Sequence, residues 1–318
     1  MSIVVAGSCV VDLVFYTETL PSKGQTVLSS FQDGLGGKGF NQAVAARKAG
    51  AGLVEFRGMI GNDSAGQDFI VALDGYGIVN KLQVSKDHPT GRASITIDSN
   101  ANNIIAVALG ANESFKSTAL PQDVSIVLAQ LETNIPAIIE LFKEAKEKGA
   151  TTILNPAPMP PTIPDEFWTL LKYTDILTPN ETELEGITGE VGVEKMNPLS
   201  IVDICKKIPS VDNIIVTLGE RGSLHVGTVP VRPEGTTTAF KFYPAQKVDA
   251  IDTSGAGDAF NGGFVAGLLH SGGNIAEAIE FASVVAAISV TRKGTSASMP
   301  DIDEVLEVIG DNWDVSDE

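Results

Sequence analysis

The segment Asp252-Thr253-Ser254-Gly255-Ala256-Gly257-Asp258 carries the strongest chemical signal in the chain. Its small residues let the backbone N–H groups of Gly255, Ala256 and Gly257 come close to an anion. Phe260, Phe264, Leu268 and Leu269 follow at helical spacing and predict a helix over 257–270. Amides at a helix N-terminus, with a dipole worth about 0.3–1 kcal/mol, make an anion site. Asp258 stands at the mouth of that site. A carboxylate there is a poor ligand for an anion but a suitable general base for a hydroxyl that attacks one. The plainer reading is a first-turn aspartate complementing the helix dipole, yet two glycines are an entropically costly way to start a helix.

A second cluster, Gly34-Leu35-Gly36-Gly37-Lys38-Gly39-Phe40-Asn41, opens another helix, predicted over 41–48. Gly34, Gly36 and Gly39 match the spacing of a dinucleotide fingerprint, which needs a strand immediately before it; residues 29–33 are polar. A phosphate-binding P-loop fails as well, because Gly39 follows Lys38. The cluster is then a loop of close backbone approach that presents Lys38 and Asn41 to a polyhydroxy ligand, or simply a glycine-rich turn. His88, His225 and His270 lack metal-ligand spacing, and neither Cys9 nor Cys205 has a histidine nearby in sequence. Zinc and thiol chemistry therefore have no candidate residues.

These loops need elements to position them. Short β-branched runs at 3–6, 53–60, 124–129, 151–154, 175–178 and 213–218 alternate with helical patterns at 41–48, 65–73, 137–148 and 201–207. That rhythm predicts an α/β fold, a three-layer sandwich around a mostly parallel sheet. The regions 10–35 and 92–108 break it with alternating, helix-free strand patterns, which read as edge hairpins or as a small β-sheet lid. The Thr236-Thr237-Thr238 run reads as a loop, 275–291 as a second long helix, and the polar tail from Gly310 to Glu318 as frayed. Polar residues gather at the carboxyl ends of the strands, where ligands of parallel sheets bind: Ser8 and Asp12, Asn62 and Asp63, Gln130 and Glu132, Asn155, Asn180, and Gly219.

Composition excludes several classes. The 318 residues are 43% hydrophobic and 19% charged, enough for a large core and against disorder. Lys plus Arg number 22 against 40 Asp plus Glu, and the net charge of −18 disfavours nucleic acid as a partner. No run of about 18 apolar residues predicts a membrane helix. Two cysteines exclude a disulfide framework, and residues before Lys23 lack the basic region of a secretory signal. The expectation is a cytoplasmic chain, one domain spanning 1–318.

The two glycine clusters together resemble the ribokinase branch of the PfkB carbohydrate kinase family. Gly36-Gly37-Lys38-Gly39-Phe40-Asn41-Gln42-Ala43 is similar to its N-terminal signature and 252–258 to its C-terminal one. Asn155-Pro156-Ala157-Pro158, Thr178-Pro179-Asn180-Glu181-Thr182-Glu183, Thr217-Leu218-Gly219-Glu220-Arg221-Gly222 and residues 286–294 follow in the same order. The resemblance implies a lid of strands from 10–35 and 92–108, often paired across a homodimer. It also implies transfer of the γ-phosphoryl of ATP to the 5-hydroxyl of D-ribose.

By the same resemblance Asp258 is the base, with Gly255, Ala256 and Gly257 as the anion hole. Asp12, Gly37, Lys38, Asn41, Glu132 and Asp258 hold the sugar. Asn180, residues Thr217, Leu218, Gly219, Glu220, Arg221 and Gly222, together with Gly257 and Ser283, meet the nucleotide. Asn180 and Glu183 handle Mg²⁺, the latter through water. Asp252, Ser254, Ser289, Arg292, Gly294 and Ser298 surround an activating K⁺.

Two residues depart from the pattern. Val10 stands where bacterial ribokinases usually carry Asn, which removes sugar hydrogen bonds. Phe40 stands where a small residue is usual, which adds bulk at the sugar loop. Ser283 lies where larger polar residues are common near the adenine. The rival readings are a family kinase for fructose, deoxyribose or a nucleoside, a non-catalytic sugar or nucleotide sensor, and a nicotinamide-dependent dehydrogenase.

Overall fold

A computed structural model describes residues 2–100, 102–230 and 236–310. Its first strand, Ser2–Ala6, is buried along its whole length, as an uninterrupted apolar run inside a parallel sheet should be. Among the described residues the main sheet has nine strands. Their order is Thr236–Pro244, Gly222–Pro230, Asn213–Thr217, Ile176–Leu177, Thr151–Leu154, Val124–Ala129, Ser2–Ala6, Leu53–Arg57, Val79–Asn80. Pairing is parallel from Asn213–Thr217 onward and antiparallel for the two strands at the other edge.

Side-chain alternation splits the core into two layers. Ile3 and Val5 join one apolar cluster with Phe40, Phe264 and Phe281, under the helices Lys38–Lys48, Ser64–Gly75, Ala256–His270 and Ile275–Ser289. Val4 and Ala6 join the other with Phe142 and Phe167, under Ile135–Glu147 and Asp165–Leu171. The expected three-layer sandwich is therefore present. All the parallel strands point their carboxyl ends the same way, as helical crossovers between parallel neighbours require.

The regions read as hairpins or lid form one small sheet, ordered Ser30–Gly36, Val10–Tyr16, Gly91–Ile97, Asn103–Ala108. Val10–Tyr16 leaves the main sheet directly after the Gly7-Ser8-Cys9 turn, so the lid springs from the carboxyl end of the strand Ser2–Ala6, third from the edge of the main sheet. Two expectations change. The run at 53–60 is two strands, because the chain turns at Gly58, where an added Cβ would lie 2.7 Å from the Gly7 carbonyl oxygen. Its second part, Met59–Gly61, pairs with Gln83–Ser85 in a separate two-stranded sheet. The Thr236 run starts a strand, as β-branched residues at a sheet edge favour. Residues 311–318 of the tail lie outside the described part.

Candidate active site

Gly255 caps the helix Ala256–His270 with φ at 74°, a left-handed conformation that glycine adopts without strain. The helix thereby starts at the carboxyl end of the sheet and delivers Asp258 into its first turn, buried. Asn41 Nδ2 donates to Asp258 Oδ2 at 3.0 Å, and Gln42 Nε2 donates to Oδ1 at 2.9 Å. Both donors sit on the helix Lys38–Lys48, which approaches so closely that an added Cβ on Gly262 would collide with Ala45. The base candidate is thus gripped by the neighbouring helix through both oxygens. Asn41 Oδ1 is buried with no hydrogen-bond partner among the described residues, an acceptor that suits a hydroxyl-bearing ligand. Of the proposed anion-hole amides, Ala256 N–H turns back to the Thr253 carbonyl at 3.2 Å.

The second glycine loop closes the other side. Gly37, at φ 90°, precedes the helix, and a Cβ on Gly39 would fall 2.5 Å from backbone atoms of Gly7 and Ser8. Only glycine permits this approach, which sets Lys38 at the helix start over the end of the strand Ser2–Ala6. Lys38 N–H donates to Glu132 Oε2 at 2.9 Å, and the Ser8 hydroxyl donates to the same oxygen. Burial acts to lower the Lys38 pKa, but the nearby carboxylates of Asp258, Glu132, Glu183 and Asp12 carry it above its ordinary value. The ammonium therefore stays charged in the field of four carboxylates.

Asp12 projects from the lid strand onto Gly36, where any side chain would collide with its carboxylate. Burial first, then repulsion from Glu132 and Asp258, push its pKa up to about 6, against the pull of Lys38. A folded-state pKa raised above the unfolded one costs stability once pH passes through that window. Asp12→Asn is therefore expected to raise the melting temperature of the ligand-free protein at pH 8, by on the order of 1–2 kcal/mol of stability. The advantage should fade between pH 6 and pH 4, as the native Asp12 protonates. The same variant should raise the KM for sugar, having lost an acceptor. Thermal melts at pH 8 and pH 4 beside sugar titrations check both, and equal melting of the two proteins at pH 8 would refute the assignment of strain to Asp12.

On the far side of Asp258 opens a cavity of about 790 Å³. Asn180, Thr217, Gly219, Glu220, Arg221 and Gly222 line one wall, Ala256, Gly257, Phe260 and Ser283 another. Leu218 is buried in the core instead and contributes backbone contacts only. Arg221, expected as the local cation, spends its guanidinium on Glu181 at 2.6 Å and on the Met196 carbonyl at 2.8 Å. Asn180 and Glu183 form a capping box on the helix Glu181–Thr188. Glu183 Oε2 accepts from Asn180 N–H at 2.8 Å, and burial pushes its pKa up.

The third predicted group is only partly gathered. Asp252 accepts from Ser254 N–H at 2.9 Å and from Gly294 N–H at 3.0 Å; burial opposes ionisation, but these bonds hold its pKa below the usual value. Gly255 lies against Thr295, so this loop pair backs the anion hole. The Ser289 and Ser298 hydroxyls donate to carbonyls of Ala286 and Thr295. Arg292 turns to Glu304.

Several expectations are displaced. Phe40 points into the core against Phe56 and Phe69, so its bulk does not reach the sugar loop. Asp63 caps the helix Ser64–Gly75 and holds Thr90, outside the site. The strand Ser30–Gly36 runs through Gly34, but antiparallel and in the lid, which removes the strand–turn–helix unit a dinucleotide fold requires. Ser8 was expected only as a polar residue at a strand end and Gln42 only as part of the glycine-loop signature; neither was given a role, and the structure places Ser8 on Glu132 and Gln42 on Asp258.

Comparison with known proteins agrees with this geometry. Residues 1–302 match the family described as pfkB family carbohydrate kinase. A ribokinase of Staphylococcus aureus is 36% identical over 96% of this chain and 99% of its own. A deoxyribokinase of Salmonella typhi is 34% identical over 98% of this chain and 100% of its own. The structure of Arabidopsis thaliana ribokinase complexed with ribose and ATP, 32% identical, covers 96% of this chain and 98% of that one with a TM-score of 0.76. With two glycine loops built around one gripped carboxylate and a match over almost its full length, the chain belongs to the pfkB family of carbohydrate kinases.

Proposed function

We propose that the protein transfers the γ-phosphoryl of ATP to the 5-hydroxyl of D-ribose, giving ribose 5-phosphate and ADP. The observation that carries this reading is Asp258, fixed by two amides at a helix N-terminus between the Lys38 loop and the larger cavity. Full-length similarity to ribokinases, one of them complexed with ribose and ATP, supports the choice of substrates.

In this reading Asp12, Gly37, Lys38, Asn41 and Glu132 hold the sugar, offering the mixture of donors and acceptors that a polyol needs. Asp258 takes the hydroxyl proton as the oxygen attacks. The amides of Gly255 and Gly257 are offered to the phosphoryl oxygens, while the Ala256 N–H is held by the Thr253 carbonyl and must leave it to join them, and positioning with electrostatics supplies most of the rate. Asn180, the Thr217–Gly222 turn and Ser283 receive the nucleotide, with Thr217, Gly219, Glu220, Arg221 and Gly222 forming its wall.

Among the described residues no three His, Cys, Asp or Glu side chains are grouped to cage a metal. That donor set fits a Mg²⁺ that keeps waters and phosphate oxygens as most of its ligands, with Asn180 and Glu183 beside it. Bound there with ATP, it supplies charge neutralisation of the phosphates. For K⁺, the serines and Arg292 are already engaged, so Asp252 and the backbone carbonyls of Ser254, Ser289, Arg292, Gly294 and Ser298 are the proposed donors.

The lid edge strand Asn103–Ala108 is exposed throughout, including Ile104, Ile105 and Val107, and supports a homodimer built through the lid. Among the described residues no helix is long and apolar enough to cross a membrane. Two buried free thiols, Cys9 and Cys205, suit the cytoplasm. A second reading, 2-deoxyribose as the sugar, is favoured by the deoxyribokinase similarity and by apolar Val10. ADP release from MgATP against ribose, deoxyribose, fructose and nucleosides, with and without K⁺, tests both. Ribose is expected to give the highest kcat/KM; deoxyribose ahead of ribose would select the second reading, and silence across the panel would favour a non-catalytic sensor.

A further inference from the structure

Resting on the reading of Asp258 as the base, we propose that Gln42 is a positioning residue that locks the base carboxylate through a buried hydrogen-bonded chain. Gln130 Nε2 donates to Gln42 Oε1 at 2.7 Å. Gln42 Nε2 donates to Asp258 Oδ1 at 2.9 Å and to Asn155 Oδ1 at 3.0 Å. Asn155 Nδ2 then donates to the Thr178 carbonyl at 2.8 Å. The Thr178 hydroxyl donates to Asn261 Oδ1 at 2.5 Å, and Asn261 Nδ2 donates to the Gly257 carbonyl at 2.8 Å. The chain leaves the base, crosses the ends of two sheet strands and returns to the residue just before the base. Gln42 and Gln130 are fully buried, and Thr178 and Asn261 nearly so.

This arrangement settles which way the Gln42 amide faces. Its oxygen must meet the Gln130 donor, so both Nε2 hydrogens must point to Asp258 and Asn155. A flipped amide would set oxygen against carboxylate and donor against donor, in a dry interior where an unmade hydrogen bond costs the most. Asp258 therefore receives a donor on each oxygen, from Asn41 and from Gln42, and its remaining lone pairs are aimed. A donor to the ionised form also favours that form. Among the residues assigned to the sugar, the Gln42 side chain hydrogen-bonds to Asp258 alone, its other partners being Asn155 and Gln130, so it acts through the base.

The test compares Gln42→Met with Asp258→Asn, after melting curves show both variants folded. Gln42→Met is expected to lower kcat by about 10–100-fold, with both KM values within about threefold. If Gln42→Met does not fold, Gln130→Met gives the same reading: it frees the Gln42 amide to turn and should lower kcat in the same way by less, again with both KM values little changed.

A kcat within about threefold of wild type in folded protein, or a loss appearing only in the sugar KM, would overturn the inference while an inactive Asp258→Asn left the base reading standing. Near-normal turnover by Asp258→Asn would instead remove the base reading, and this inference with it.

Discussion

Asp258→Asn is expected to lower kcat by about 10²–10⁴-fold while the KM for ATP stays within about threefold. The argument is geometric. Asp258 is buried at the start of its helix, between the sugar loop and the larger cavity, and its two oxygens are held by Asn41 and Gln42. An asparagine keeps the shape but cannot accept the hydroxyl proton. The cavity wall at Asn180, Thr217 and Gly219 is untouched, so nucleotide binding should persist. Steady-state kinetics with MgATP and ribose read both quantities. Turnover within a few-fold of wild type would remove Asp258 from the base role and leave it as a helix-capping charge.

Lys38→Ala should raise the KM for sugar by on the order of 10–100-fold, with a smaller effect on ATP. Lys38 is the cation common to Asp258, Glu132, Glu183 and Asp12, whose combined field raises its pKa against the effect of burial. Without it the carboxylates repel one another and the polyol loses a donor. Lys38 pulls the pKa values of Asp12 and Glu183 down, so both should rise further without it, and stability tied to raised carboxylate pKa values is lost as pH increases. The variant should therefore be more destabilised at pH 8 than at pH 5. Melting at the two pH values and paired substrate titrations decide it. A change confined to the ATP titration would show that the loop belongs to the nucleotide.

The two glycine loops were legible because their signal is local. Gly255 and Gly37 adopt left-handed backbone conformations, and Gly39 meets Gly7 at a distance that excludes any side chain, so residue type alone reports the geometry. The strands of the parallel core were legible for a similar reason: burial on both faces makes most of them short runs rich in apolar, β-branched residues, with Leu53–Arg57 the exception in carrying the paired Glu55 and Arg57. Phe40 was misjudged because its side depends on helical phase. The helix begins at Lys38, three residues before the predicted start, and successive side chains on it diverge by about 100°. Asn41 thus reaches Asp258 while Phe40 enters the core. The capping box of Asn180 and Glu183 has a readable spacing, yet its effect is to bury a carboxylate whose neighbours come from other elements.

By itself the sequence determined the alternating α/β architecture, the two close-approach loops and Asp258 as a carboxylate in the first turn of a glycine-opened helix. Each of these follows from backbone preference or periodicity within a few residues. The tertiary structure alone decided that the two strand-rich regions form one small sheet, that Arg221 is tied to Glu181, and that Gln42 donates to Asp258. Gln42 lies 216 residues from Asp258 and 113 from Asn155 along the chain. Such contacts depend on which helix packs beside which strand end, and the pattern of any single segment is the same whichever neighbour it acquires.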